Sequence, residues 1–393
     1  MPVRFKFAAL VLFAALLLSV FCFPITADAG LGKGSSRSAV PSLSAKSAIL
    51  IEAASGRILY AKNATERLPM ASTTKIMTAL VALESGSPDR IVRIPAEAVG
   101  IEGSSIYLFE GEELTLEQLL YALLLSSAND AAVAIAIEIA GSVERFAGLM
   151  NQKATELGLT DTHFVNPNGL DDPAHYTTAA ELAIITRAAL RNPLFCKIVS
   201  TKKITIPQGS EPDRRLLVNH NKLLNRYAGA IGVKTGYTKR SGRSLVSAAE
   251  RNGVTLIAVT INAPNDWNDH TALLDYGFSL CSRVALAEPG NQSYPLPVVG
   301  GVTDTVTASN TDGLSVVLPA DHGEIRTVIE LPRFVYAGIQ KGEKLGQIVF
   351  WCDTDGDGAE ERIGELPLYA LHTAEKQPKK GFWNRLLRFF GKK

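Results

Sequence analysis

The sequence predicts an α/β fold of the α+β kind, a sheet covered by helices and followed by a small C-terminal all-β domain. Three observations predict it. Strand-type runs occur at both ends of the first 284 residues, helical periodicity fills the middle, and past about Val284 short β runs are punctuated by Pro, Gly, Asn and Asp. A chain of 393 residues with 46% hydrophobic content can bury one large core and a smaller second one. Its 40 basic and 39 acidic residues leave a net charge of +1, which excludes a nucleic-acid partner as the reading of the overall field.

At the N-terminus, Arg4 and Lys6 precede the apolar run Phe7 to Phe23, and Ala27-Asp28-Ala29 supplies a small-residue cleavage site. Residues 1–29 therefore read as a secretory signal peptide. Residues 30–47, rich in Gly, Ser and Ala, read as a flexible tether. The main domain is expected over 48–284. It opens on a hairpin, Ala48 to Glu52 and Ile58 to Lys62, and continues with an apolar helical stretch from Ser72 to Glu84. Capping boxes at Thr115 to Gln118 and Thr178 to Glu181 head two further helices. The period then changes to two: Ser244 to Ala249 and Val254 to Ile261 flank Asn252-Gly253, a strong hairpin signal, and a helix near His270 to Leu280 closes the domain.

A β-rich domain is expected over 285–372, from runs such as Leu314 to Leu318, Ile325 to Leu331 and Leu345 to Phe350. The tail, 373–393, places Phe382, Trp383, Leu386, Leu387, Phe389 and Phe390 at helical spacing among lysines and arginines, the pattern of a helix lying on a membrane surface.

Several chemistries are not supported. Cys22 would leave with the signal, and Cys196, Cys281 and Cys352 give neither a disulfide framework nor metal-ligand spacing, so no metal and no cofactor is implied. Asp353-Thr354-Asp355-Gly356-Asp357-Gly358 begins like a calcium loop, but position twelve is Gly364 where a bidentate glutamate belongs, so a polar hairpin turn is the better reading. His163, His175, His220 and His270 read as structural or surface residues.

The reactive pattern is Ser72-Thr73-Thr74-Lys75, which puts a hydroxyl and an amine on one helix face a turn apart. A serine needs a nearby base, and a lysine disfavoured as ammonium by burial or a neighbouring cation can be that base. Alone, S-x-x-K is weak. Ser127-Ala128-Asn129, in a break between two apolar helices, and Lys234-Thr235-Gly236, at the start of the β-rich segment, complete a set whose order and spacing match serine acyl-enzymes.

The chain resembles the low-molecular-mass penicillin-binding proteins of the D-alanyl-D-alanine carboxypeptidase type. The likeness extends through Pro69-Met70-Ala71, Glu102 to Leu108, Asn129 to Ala132, Thr162-His163-Phe164, Asn166 to Leu170 and Tyr176 to Ala179. The resemblance implies a β-lactamase/transpeptidase-like sheet and a serine-type D-Ala-D-Ala carboxypeptidase acting on peptidoglycan stem peptides. It also implies roles: Ser72 as nucleophile, Lys75 as base, Ser127 as proton relay, Asn129 on the substrate amide, and Lys234, Thr235 and Gly236 at the terminal carboxylate. The backbone N–H groups of Ser72 and Tyr237 would form the oxyanion hole. β-Lactams are the expected covalent inhibitors, and the outer face of the cytoplasmic membrane the expected location. Two alternatives stay in view, a β-lactamase and a non-catalytic wall-binding module. The intact Ser72, Lys75, Ser127 and Lys234 weigh against the second, and the C-terminal domain and tail against the first.

Overall fold

The computed structural model describes residues 39–209 and 213–378; the segment expected to be a signal peptide and the apolar and basic part of the tail expected to lie on a membrane fall outside them. The described residues divide into two compact units, 39–284 with 317–321, and 285–316 with 322–378.

The first unit begins with β1 (Ser47–Glu52) and β2 (Ile58–Lys62). A short 3-10 turn, Ala71–Thr74, runs into α1 (Lys75–Ser85). The ladder of β3 (Ile91–Arg93) and β4 (Glu113–Thr115) leads to α2 (Leu116–Leu125), α3 (Asn129–Ala140), α4 (Val143–Glu156), α5 (Ala179–Ala189) and α6 (Pro193–Ser200). After the hairpin β5 (Lys203–Pro207) and β6 (Arg214–Val218) come α7 (Leu223–Arg226), β7 (Ala230–Thr238), β8 (Gly242–Arg251), β9 (Val254–Ile261) and α8 (Asp266–Leu280).

Five strands form one antiparallel sheet in the order β2-β1-β9-β8-β7, with β7 on an edge. Side chains on a strand alternate between faces, and this sheet is apolar on both. Ile49 and Ile51 of β1, with Ile257, Val259 and Ile261 of β9, join the core made with the helices of the middle segment. Ala48, Leu50, Leu256 and Ala258 point the other way, onto Leu273 and Leu274 of α8. Two-sided burial explains why β1 and β9 read as continuous apolar runs. The two-residue loop between β8 and β9 has φ of 51° at Asn252 and 75° at Gly253, as an Asn-Gly hairpin requires.

Local chemistry departs from expectation at three places. The capping box at Thr115 forms fully, whereas at Thr178 only half does: Thr178 accepts from the Glu181 N–H. The Glu181 carboxylate turns instead to Thr160, Asp161 and Thr162, where three donors converge. The tether expected over 30–47 is shorter, because Leu43 and Ala45 are buried and Ser44 is anchored to Asp269 through its N–H at 3.0 Å and its hydroxyl at 2.7 Å. The closing helix α8 starts four residues before His270.

In chain order come β10 (Cys281–Ala287), β11 (Ser293–Val299), β12 (Thr305–Ser309), β13 (Leu314–Pro319), β14 (Arg326–Glu330), β15 (Val335–Tyr336), β16 (Lys344–Cys352) and β17 (Glu361–Ala370). The second unit is built on a six-stranded sheet in the order β14-β16-β17-β12-β11-β15. Its core gathers Leu296, Val306, Ile348, Phe350, Leu366 and Leu368. It continues past residue 372, where the tail was expected to begin: Ala374 is fully buried and pairs with Ile339, and Lys376 pairs with Gly301. The calcium-like run is the connection between β16 and β17. There the Asp353 carboxylate accepts from the N–H groups of Gly356 (2.7 Å) and Gly358 (2.9 Å), as an Asx-type turn does.

Candidate active site

The nucleophile candidate sits on a turn held by its neighbours. Thr73 and Thr74 donate their hydroxyls to the carbonyls of Met70 (2.6 Å) and Ala71 (2.8 Å). Behind them, buried His175 has its pKa pushed down to about 4 by desolvation, so the ring is neutral. Its Nδ1 accepts from the Val165 N–H at 3.1 Å, which leaves the proton on Nε2 to donate to Thr74 Oγ1 at 2.7 Å. His175 is thus the structural residue its sequence context suggested.

Lys75 lies at the first turn of α1 with no exposed surface. Its Nζ is 2.9 Å from Ser72 Oγ and 2.7 Å from Asn129 Oδ1, and it also meets the Asn168 carbonyl. Burial, reinforced by the charge of Lys234, holds its pKa well below the usual lysine value. A neutral amine has two N–H groups and one lone pair. Asn129 Oδ1 and the Asn168 carbonyl can only accept, so they take the two N–H groups and the lone pair faces the Ser72 hydroxyl. That is the arrangement of a general base.

Asn129, the first residue of α3, is fixed at both ends of its amide: Oδ1 by Lys75, Nδ2 by the Glu102 carbonyl at 2.6 Å. Its N–H donates to the Ser104 carbonyl at 2.7 Å. The next residue, Asp130, is buried and ties down the same loop by accepting from Ser105 Oγ (2.6 Å) and from the N–H groups of Ile106 and Leu108 (3.1 Å each). Ser127, with φ of 60°, occupies the break between α2 and α3.

Lys234 is buried on β7, its Nζ 2.9 Å from the Thr235 carbonyl, and desolvation pushes its pKa down to about 7. The edge of β7 runs against the nucleophile turn. A Cβ added to Gly236 would come within 3.2 Å of the Ser72 nitrogen, the Met70 carbonyl and Ala71 Cβ, so glycine permits this approach. Gly169 does the same on the opposite side. Its φ is +86°, and an added Cβ would lie 2.0 Å from the Ala71 carbonyl oxygen.

Between these walls is a cavity of about 310 Å³, reached by Ser72, Ser127, Thr235, Gly236 and Tyr237. Of the site residues expected from the sequence, Ser72, Ser127, Thr235, Gly236 and Tyr237 line it; Lys75, bonded to Ser72 and Asn129, and Lys234, at the Thr235 carbonyl, are buried beside that lining. The structure also adds residues that sequence reasoning missed. Ser104, His220, Lys222, Arg243, Asp266 and Trp267 complete the lining, with Arg243 paired to Asp266 at 2.9 Å and 5.9 Å from the Trp267 ring centre. No motif marks Lys222, Arg243, Asp266 or Trp267; Ser104 falls in the stretch Glu102 to Leu108 without a role having been read for it, and His220, expected to be structural or at the surface, lines the cavity. The carbonyls of Glu102 and Asn168 carry no side-chain signal at all. Among the described residues there is no cluster of His, Cys, Asp and Glu able to hold a metal ion.

Comparison with known proteins yields consistent relatives. The D-alanyl-D-alanine carboxypeptidase family of peptidases matches residues 35–265. A D-alanyl-D-alanine carboxypeptidase of Bacillus subtilis is 33% identical over 390 residues, covering 97% of this chain and 98% of that one. One from Escherichia coli is 31% identical over 369 residues, 89% and 88% of the respective chains. Among solved structures, penicillin-binding protein 5 of Haemophilus influenzae aligns with a TM-score of 0.63 at 28% identity, over 86% of this chain and all of that one. A Streptomyces K15 DD-transpeptidase aligns with a TM-score of 0.58 at 36% identity, over 61% of this chain and 99% of that one.

Proposed function

The chain belongs to the D-alanyl-D-alanine carboxypeptidase family, and from that premise we propose that Ser72 is the residue it acylates and Lys75 the base that activates it. The protein is a serine peptidase of peptidoglycan synthesis that acts on the cell wall, outside the cytoplasm. The observation that carries the assignment of roles is Lys75 Nζ, 2.9 Å from Ser72 Oγ and buried where the neutral amine is favoured.

Ser72 Oγ attacks the carbonyl of the penultimate D-alanine while its proton passes to Lys75 Nζ. The oxyanion that forms is held by the N–H groups of Ser72 and Tyr237, a reading supported by the close approach of Gly236 to the Ser72 nitrogen. Ser127 relays a proton to the departing D-alanine nitrogen, the C–N bond breaks, and an ester on Ser72 remains. Water then attacks the ester and restores Ser72. Asn129 keeps Lys75 in place and holds the substrate amide. Lys234, with Thr235, holds the terminal carboxylate, which restricts cleavage to a free C-terminus. A β-lactam carries a comparable carboxylate beside a strained amide and acylates the same hydroxyl.

The same reading assigns the first unit, from residue 43 to 284, to catalysis and the β-rich unit, which starts at 285 and runs past 372, to a second domain. From sequence alone it assigns 379–393 to peripheral attachment at the outer face of the cytoplasmic membrane, because apolar and basic residues alternate at helical spacing. Deleting 381–393 is then expected to release the signal-cleaved protein from membranes with activity on soluble peptide unchanged; full membrane retention would refute the anchor. The reaction itself is tested with a pentapeptide ending in D-Ala-D-Ala. The wild type releases D-alanine, Ser72→Ala releases none, and labelled penicillin leaves a lasting adduct on Ser72. Turnover by the Ser72→Ala variant would sink the assignment.

A further inference from the structure

Tyr107 is out of keeping with its surroundings. It has a φ of 60°, a conformation that suits glycine or asparagine and disfavours a bulky side chain, and its ring is 83% exposed between buried Ile106 and Leu108. The backbone around it is pinned on every side. Ile106 and Leu108 both donate to Asp130, the Tyr107 N–H donates to Ser105 Oγ at 2.9 Å, and Arg215 reaches the Tyr107 carbonyl at 3.4 Å. Arg215 is itself buried and paired with buried Glu112 at 3.0 Å. A strained, immobilised loop thus holds one aromatic ring out in water, and strain kept in place by surrounding bonds concentrates at functional sites.

The location suggests what the ring meets. Ser104, three residues earlier in the same pinned loop, lines the cavity at Ser72. Three residues span at most about 11 Å, so the Tyr107 Cα stands within that distance of Ser104, and the side chain carries the ring farther by its own length. A stem pentapeptide has four residues before its scissile bond, an extended reach of about 14 Å, after which the sugar begins. The two reaches are of the same order, so a sugar at the end of the stem can come to the ring. A pyranose offers a face of C–H bonds bordered by hydroxyls. Tyrosine answers it with a flat apolar face and a polar tip, at little cost in side-chain freedom.

We infer that Tyr107 is a stacking platform for a pyranose ring of the glycan strand that carries the stem peptide. The inference rests on the carboxypeptidase reading for the identity of the substrate. Its consequence is that glycan-borne stems bind better than free peptides of the same sequence.

The test uses the signal-cleaved full chain and two product-type ligands, a muramyl-disaccharide tetrapeptide and the same tetrapeptide without sugar, titrated by calorimetry. The wild type is expected to bind the sugar-bearing ligand about three- to tenfold more tightly. Tyr107→Asn and Tyr107→Ala are expected to lose that advantage while their affinity for the bare tetrapeptide changes by less than about twofold; Tyr107→Trp keeps it. Tyr107→Asn accepts the positive φ, so its melting temperature should equal or exceed the wild type's, which separates lost stacking from lost fold. Equal wild-type affinity for the two ligands, or an advantage that survives in both Asn and Ala variants, would overturn the platform. Product binding needs no turnover, so D-alanine release from free pentapeptide, measured separately, reports on the reaction alone.

Discussion

The two units treat burial in opposite ways. The first buries many polar and charged side chains, two lysines among them, Lys75 and Lys234, with Asn129, Asp130 and His175 close to the nucleophile turn and the Glu112–Arg215 pair farther along. The second buries mostly Leu, Ile, Val, Phe and Ala, with Cys352, Ser309, Asn310 and Thr354, and no charged side chain among its described residues. Burying an ammonium is expensive unless something gains from it. In the first unit the proposed gain is chemical: burial lowers the pKa of both lysines, which suits one to act as the base and the other to meet a carboxylate. The contrast teaches where to look for chemistry in a two-unit chain, namely where the core violates its own preference.

The most severe way to break the contrast is Lys75→Met. Removing a buried amine whose two acceptors are then left unpaired should change stability little in net terms, since the desolvation penalty is removed as well. D-alanine release, however, should fall by about a thousandfold or more, because nucleophile and base act as one unit. Melting curves alongside rates decide it. A large loss of stability with activity retained would place Lys75 in the scaffold.

The reciprocal experiment is Phe350→Ala in the second unit. Emptying this buried site should cost about 3 to 5 kcal/mol in the unfolding of the β-rich unit, read by calorimetry or denaturant melts. Turnover of a soluble pentapeptide should stay within about twofold of the wild type, since no catalytic group is touched. A parallel collapse of activity would show that the two units do not work independently.

The smallest effect is a pH dependence. Lys234 has a folded pKa of about 7 against the usual 10.5, so between these values the unfolded chain binds the extra proton and stability rises with pH. Below about 7 both states are protonated and the penalty is fully present. The second unit, without a buried lysine, should show no such rise. For catalysis the direction reverses on the substrate side: as Lys234 deprotonates, KM for a free-carboxylate peptide should climb by up to about tenfold per pH unit, while Lys234→Arg should flatten that limb. A KM independent of pH in the wild type would remove Lys234 from the carboxylate.

Much of this was legible in the sequence, for a physical reason. Ser72 and Lys75 are close because a helical turn makes them so, and the Asn252-Gly253 hairpin is written in the left-handed conformations its two residues tolerate. Such local couplings survive in spacing. What spacing could not show is long-range. The Asn168 carbonyl that receives Lys75 is backbone, and any residue has one. Arg243 and Asp266 meet only because the starts of β8 and α8 come together in space. Glu181 looked committed to its own helix, and three donors from residues 160–162 outbid the Thr178 N–H for its carboxylate. Leu43 and Ala45 looked like linker because their partners lie more than two hundred residues away, beside Asp269. The β-rich unit was recognisable by composition, but the order β14-β16-β17-β12-β11-β15 follows from pairings that no single strand announces.

Gly169 bears on how this protein can change over generations of antibiotic exposure. Every other amino acid brings a Cβ, and here that atom would overlap the Ala71 carbonyl beside the reactive serine. The neighbouring carbonyl of Asn168 is one of the two that orient Lys75. A replacement at 169 would therefore pry the acylation machinery apart for drug and cell-wall peptide alike. A variant that escapes the drug at this position is expected to lose the peptide reaction with it. Escape routes must run through parts of the cavity that one ligand touches and the other does not.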